Sequence, residues 1–473
     1  MSMYQRYFEE NSGRVFPIYG YSPPPQNYWW IDDQKFYTED FRTTERYKEY
    51  LDCGFNVLFL QRTAAYNGEP WEECDMKKAM EAAVAAGVEK IIVVDERIFD
   101  LSKVAGGLIG ENKRFPCEQE LDDFLRNCLQ PYRHQKGFYG IQLMDEPFHP
   151  LLQSVGQVFR AMKRIDPSIF VHCNLNPLIL PTLLYRMCPP GKTMVEAYEN
   201  YLTMFAEETG ADYIMADVYP FVRAGEGASI GKYYFAGLET LARTCKKLGK
   251  EMHIVMQSFR MCIGNRPHHK LPNREMMEFQ KNVMIGFGVK EFSYFTYWTK
   301  QANYSKGEMY PDGSAMMTRD GQQTKLYSYV QKINRELTEL APMLWDFEYQ
   351  ANAFCITPPL FTRPMYLDMV RSEELSQVTH AETDKEVALI NELYDAKREQ
   401  YLYVVTNVSD PKRYRKFHKR EKQRTQLVFQ KGYNVADVYA NGQWKTVRLQ
   451  DGLLEIELDT GDGAMILPYT EEV

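Results

Sequence analysis

Carboxylates and amides recur in this chain at the ends of apolar runs. Asp95 and Glu96 close KIIVVDE, Asp145 and Glu146 close FYGIQLMDE, and Asp217 lies in ADYIMADVYP. Asn174 and Asn176 end SIFVHCNLN, Gln257 lies near the end of MHIVMQSF, and Arg62 ends FNVLFLQR. Tyr19 in RVFPIYGY, Tyr219 after Asp217, and the pair Tyr297 and Trp298 complete the set. Two carboxyls supply the acid and the base or nucleophile of glycosidic cleavage. Amides and Arg bind hydroxyls, and Trp offers a flat face to a pyranose. Glu146, Asp217 and Asp145 are the candidates for that catalytic work. The other residues are expected to bind substrate.

Each of these also has a structural use. Acids suit the first turn of a helix and Pro147 suits its first position, so Asp145 and Glu146 also fit a helix start. Asp217 can cap the turn before Pro220, Asp95 and Glu96 can pair with Arg97, and Arg62 can neutralise nearby acids. Trp298 can close the mouth structurally. What separates the two uses is where the elements place these positions.

Eight apolar runs supply that placement: 14–21, 55–62, 90–96, 138–146, 168–176, 211–220, 252–259 and 291–298. Their near-continuous hydrophobicity predicts parallel strands buried on both faces. Amphipathic stretches such as 76–88, 121–133 and 233–250 separate them, several ending in Gly just before the next run, a helix C-cap signal. Eight β-then-α units predict a (β/α)8 TIM barrel over residues 1–345, with functional groups at the C-terminal strand ends. A doubly wound sheet would use the same elements, but no GxGxxG follows the first run. After 345 the pattern changes to short alternating strands with Asn441-Gly442 and Asp451-Gly452 turns, which predicts a small all-β sandwich over 346–473.

The bulk numbers narrow the function. A length of 473 residues with 44% hydrophobic content can bury a large core in more than one domain. The net charge of −8 argues against a nucleic-acid partner, and the basic run 412–424 is expected to be an exposed loop. No run is long enough for a membrane span, and no secretory leader is visible. Nine scattered Cys without CxxC predict free thiols and a cytoplasmic location. No HExxH or closely spaced HxH supports a metal site, no GxSxG elbow supports serine chemistry, and no cofactor is expected. The expected partner is a carbohydrate substrate. No oligomeric interface is legible.

Three stretches resemble those of (β/α)8-barrel glycoside hydrolases of the β-galactosidase-like type, which carry a C-terminal β-sandwich. QLMDEP (142–147) resembles the fourth strand end that carries their acid/base Glu. ADVYP (216–220) resembles the sixth strand end, and RDGQQT (319–324) with the helix after it resembles their segment following the eighth strand. The resemblance implies acid catalysis by Glu146, with a second carboxylate as base or nucleophile: Asp217 is the preferred partner, with Asp95 or Glu96 behind it. Two positions depart from it: Asp145 stands where retaining members have Asn, and Gln257 stands where they have the nucleophilic Glu. The adjacent Asp145 and Glu146 also resemble the pair of hexosaminidases and chitinase-like enzymes, which implies substrate assistance by an acetamido group. Loss of the nucleophile would instead imply a non-catalytic carbohydrate-binding protein.

Overall fold

The computed structural model describes residues 2–471 apart from 27, 32–33, 38, 179–183, 185–187, 225–226, 265, 302–306, 358–363 and 410–421. Side chains at 28–31, 34–37, 62–63, 223–224 and 227–228 also lie outside the description. Most of the basic run 412–424 therefore falls outside the described residues.

The eight predicted runs each overlap a parallel strand: β1 (Ile18–Gly20), β2 (Leu58–Phe59), β3 (Ile91–Val93), β4 (Phe138–Asp145), β5 (Phe170–Asn174), β6 (Tyr213–Val218), β7 (Glu251–Gln257) and β8 (Val289–Phe295). Strands β2 to β5 form one four-stranded sheet, and β1, β8, β7 and β6 form a second. Backbone hydrogen bonds join the two sheets at both seams. Asn56 N and Val57 N donate to Ile18 O, and Leu175 N donates to Met215 O. The eight strands thus follow one another round a ring in chain order, with helices between them.

Burial explains the strand composition. Every residue of β1, β3 and β6 is buried, as parallel strands under a helical layer require. Strand β6 can be apolar at nearly every position because neither face meets water. The connecting helices end where the sequence expects. Gly87 and Gly249 take left-handed conformations (φ 104° and 61°) that stop their helices just before β3 and β7.

From Glu348 onward the strands are antiparallel. A six-stranded sheet runs, in spatial order, through Glu348–Ile356, Val387–Asp395, Gln400–Asn407, Gly463–Tyr469, Val435–Ala440 and Gln443–Arg448. A three-stranded sheet (Val378–Thr383, Gln423–Phe429, Leu453–Leu458) accompanies it, and residues of both share a core around Ile390, Tyr403, Leu427 and Ile466. Leu453–Leu458 alternates strictly between exposed and buried positions, the mark of a strand with one wet face. Leu389, Val404 and Met465 join the main core instead, so this part packs on the ring's helices. The fold is therefore mixed α/β, with parallel sheets followed by antiparallel ones.

One element has no counterpart in the hydropathy pattern. Excursions after β6, β7 and β8 pair as a five-stranded antiparallel sheet made of Phe221–Ala224, Gly227–Ile230, Met261–Ile263, Arg266–His269 and Glu308–Met309. They leave from the C-terminal strand ends, where the chemistry is expected.

The β4–β5 contact leaves no room for a side chain at Gly140. A Cβ there would lie 2.3 Å from Phe170 O, on the neighbouring strand's backbone. Gly140→Ala is expected to lower stability by about 1–3 kcal/mol, the range for overpacking a dense core. Chemical denaturation would show this as a reduced midpoint with an unchanged slope.

Candidate active site

The site begins with a backbone irregularity. Strand β4 shifts register against β5 between Gln142 and Met144. It ends at Asp145, and Glu146 follows in the left-handed region at φ 51°. Successive residues of a regular strand point to opposite faces, which would separate the two acids. The left-handed residue breaks that alternation. Glu146 N donates to Asn174 O (2.8 Å), which anchors the turn to β5. A non-glycine residue here costs about 1–3 kcal/mol. The result is that Asp145 and Glu146, both exposed, meet the same third carboxyl.

That carboxyl is Asp217, on β6 and 3% exposed. Asn174 Nδ2 donates both to Asp145 Oδ1 (3.1 Å) and to Asp217 Oδ1 (3.2 Å). Asp217 also shares a side-chain hydrogen bond with Glu146. Burial and the Asp145 charge push the Asp217 carboxyl up to about 7, against the pull of the bonds to Asn174 and Glu146. Two carboxyls hydrogen-bond to each other only through a proton, and because this bond pulls Asp217 down, Glu146 is the side that donates it. Asn174 Oδ1 is buried with no hydrogen-bond partner.

Aromatic rings enclose the cluster. Tyr21 OH lies 3.2 Å from His172 Nε2, and burial and the charges of Asp145 and Asp217 raise the Tyr21 phenol well above its ordinary value. Burial lowers His172 to about 3, so it is neutral at physiological pH. Tyr219 is likewise raised by burial, Asp217 and Glu146. Its ring meets Phe259 (5.0 Å between centroids), His269 (5.8 Å) and Phe295 (5.9 Å). The Lys300 ammonium lies 4.6 Å from the Phe295 centroid and 5.5 Å from that of Tyr310. The arrangement can hold a proton among carboxyls beside an apolar wall.

Of the residues expected at the site, Asp145, Glu146, Asn174, Asp217 and Tyr219 come together. The rest do not join their hydrogen-bonded cluster. Asp95 is fully buried and caps the helix Glu96–Leu101, where it accepts from Arg97 (2.6 Å) and from Tyr132 OH (3.1 Å). Glu96 is half-buried in the first turn of that helix. Tyr19 OH donates to the buried Glu291 (2.6 Å) inside the ring. Asn176 Nδ2 donates to Pro147 O and so braces the loop after the acids. Tyr297 and Trp298 are fully buried, with Tyr297 against Tyr50 and Trp298 against Phe41, so neither presents a face to a sugar. The Arg62 side chain lies outside the described residues.

Gln257 is the sharpest correction. It is fully buried, and its amide acts as a staple. Oε1 accepts from Phe221 N (2.8 Å), while Nε2 donates to Phe221 O (3.2 Å) and Lys270 O (2.8 Å). It ties the roots of the excursions after β6 and β7.

Two members of the site follow from a spacing of two along a strand. His172 lies two residues before Asn174, and Tyr21 two after Tyr19, so alternation puts each pair on one side. Phe295 and Tyr310 gave no such signal. Among the described residues, no group of three or more His, Cys, Asp or Glu is arranged to hold a metal ion. No helix among them is long and apolar enough to cross a membrane.

The sequence matches no protein-family model and no curated protein. The chain is similar in structure to a glycoside hydrolase at 10% identity and TM-score 0.50, over 97% of this chain and 93% of the other. Alpha-L-fucosidase isoenzyme 2 from Paenibacillus thiaminolyticus aligns over 91% of this chain and 96% of its own at 9% identity and TM-score 0.49. An Anoxybacillus alpha-amylase aligns over 91% and 90% at 10% identity and TM-score 0.48. The first of these likenesses shows that the chain shares the overall fold of that structure.

Two measurements test this geometry. Gln257→Glu would set a carboxylate against the carbonyls of Phe221 and Lys270. It is expected to lower stability by about 1–3 kcal/mol and to add no activity; a gain in hydrolysis would contradict the staple. Asp217→Asn tests the buried carboxyl. Because the folded state holds the Asp217 proton more tightly than the unfolded chain, stability falls as pH rises from about 4 to about 7 and then levels. Relative to wild type, the Asn variant should gain on the order of 4 kcal/mol between pH 4 and pH 8. A pH-independent difference in denaturation midpoint would argue against it.

Proposed function

We propose that the chain hydrolyses a glycosidic bond, with Glu146 as general acid and Asp217 as its carboxyl partner. In this reading residues 1–345 form the catalytic unit and 346–473 an appended β-sandwich. The observation that carries it is the joining of Asp145, Glu146 and Asp217 through Asn174 and a carboxyl–carboxyl hydrogen bond at the C-terminal strand ends. The fold supports it, since a glycoside hydrolase is among the similar structures. Below about pH 7 the cluster keeps its proton. The leaving oxygen takes the place of Asp217 as the hydrogen-bond partner of Glu146, which gives up its proton as the C1–O bond breaks. Asp217, ionised, then activates water or attacks C1.

The same contact favours a more specific route. Catalytic carboxyls lie about 5–5.5 Å apart in retaining enzymes and about 6.5–9.5 Å apart in inverting ones. Glu146 and Asp217 share a side-chain hydrogen bond, so they lie side by side and do not straddle a sugar in this state. A substrate acetamido oxygen can attack C1 instead, while Asp145, held by Asn174, accepts the acetamido N–H and Glu146 protonates the leaving oxygen. The reading as a binding protein that lost its nucleophile rested on Gln257, and a residue occupied as a loop staple gives it no support.

A screen of aryl glycosides with and without a 2-acetamido group tests both routes. Turnover restricted to acetamido sugars selects substrate assistance, and turnover of both kinds selects Asp217 as base or nucleophile. Glu146→Gln should lower kcat by about 10²–10⁴-fold with sugar binding retained. Unchanged hydrolysis in that variant would remove Glu146 from its role.

A further inference from the structure

We propose that Phe148 is the stacking platform for the sugar on the leaving-group side, which makes the natural substrate an oligosaccharide rather than a glycoside of a small alcohol. This rests on Glu146 being the general acid.

The chain is rich in aromatic residues, at 14%. Among the described side chains, every aromatic ring of Phe, Tyr and Trp is buried or half-buried except that of Phe148. It is 47% exposed. Leaving a Phe ring in water forgoes part of its burial energy, and here the exposure falls two residues after the proposed acid. Two residues of extended chain reach about 7 Å at most, roughly the width of one sugar ring.

The root of this side chain is fixed. Pro147 O, immediately before it, accepts from the buried Tyr201 OH and from Asn176 Nδ2. Phe148 O accepts from Leu151 N (2.8 Å) at the start of the next helical turn. A platform held this way loses little entropy when a ring settles on it, which is what a stacking residue requires.

Ring order assigns the side. The wall of Phe295, Tyr310 and Lys300 follows β8, across the ring from β4. Phe148 belongs to the β4 segment, beside Glu146. A general acid hydrogen-bonds the leaving oxygen, so the sugar attached to that oxygen lies against the acid's own segment. The apolar C–H face of a pyranose then covers Phe148, and the sugar to be cleaved lies between the two walls.

The test compares two substrates with the same sugar at the cleaved position, which the aryl-glycoside screen identifies. One is its disaccharide, and the other its glycosyl fluoride, whose leaving group has no ring. Phe148→Ala should raise KM for the disaccharide about 2–10-fold, the range of one aromatic contact, with kcat within about twofold. kcat/KM for the fluoride should stay unchanged. Phe148→Trp should restore the disaccharide KM. Equal loss on both substrates, or none on the disaccharide, would overturn the proposal. So would Phe148→Ala converting a dimer into a monomer in sedimentation at unchanged KM, since the ring would then cover a second copy. Glu146→Gln is assayed alongside: if it hydrolyses the disaccharide normally, the acid assignment fails independently of any Phe148 effect. If the wild type turns over neither substrate, titration calorimetry with the screened disaccharides decides. Weaker binding by Phe148→Ala keeps the platform, and unchanged binding removes it.

Discussion

Asp217 is a carboxyl shut off from water within reach of two others, and the C-terminal end of the ring is organised around making that tolerable. An isolated buried charge costs several kcal/mol, and a second like charge nearby adds to it. The structure offsets this in two ways. Asn174 spends one amide nitrogen on two acids, and a proton shared with Glu146 removes one negative charge from the cluster. The second depends on the left-handed residue at 146, without which Glu146 would turn to the other face. A local backbone choice on β4 thus sets the proton affinity of a residue on β6.

The polar residues at the strand ends divide into two kinds of work. One set faces the cluster: Asp145, Glu146, Asn174 and Asp217. The other holds the loops that shape the mouth. Gln257 staples two excursions, Asn176 with Tyr201 holds Pro147, and Asp95 fixes the helix after β3 through Arg97 and Tyr132. Irregular segments carry backbone groups that no ladder satisfies, and buried side-chain amides and carboxylates satisfy them here. A concentration of polar groups at one end of the ring is therefore partly the cost of building loops there.

This division bounds what the sequence discloses. The eight parallel strands were legible because burial on both faces writes itself as continuous apolar runs, and the later sheets because one wet face writes itself as alternation. The acids of the cluster were legible because they end such runs. The direction of Asp145 relative to Glu146 was not, since the sign of φ leaves no trace in hydropathy. Gln257 reads as a lost nucleophile until its amide is seen bonded to two loop carbonyls. Trp298 reads as a sugar platform until its ring is found under Phe41 and fully buried. The sheet of excursions was invisible because strands such as MCI and RPHH are too short to show a period.

The surroundings also determine what a change of pH does at this site. Burial keeps His172 neutral, well below the range where an exposed imidazole titrates, and His269 is lowered to about 3 in the same way. Tyr21 and Tyr219 keep their protons far above neutrality, because burial and the neighbouring carboxylates both oppose phenolate. His172, His269, Tyr21 and Tyr219 therefore hold a fixed protonation state across the neutral range, while Asp217 changes within it. The aromatic enclosure does more than supply an apolar wall. By excluding water it raises the Asp217 carboxyl and silences His172 and His269, so the proton available near neutrality belongs to the carboxyl cluster that includes Glu146. Placing His172 and Tyr21 beneath the acids thus keeps the proton with the carboxyls, where a leaving oxygen can receive it.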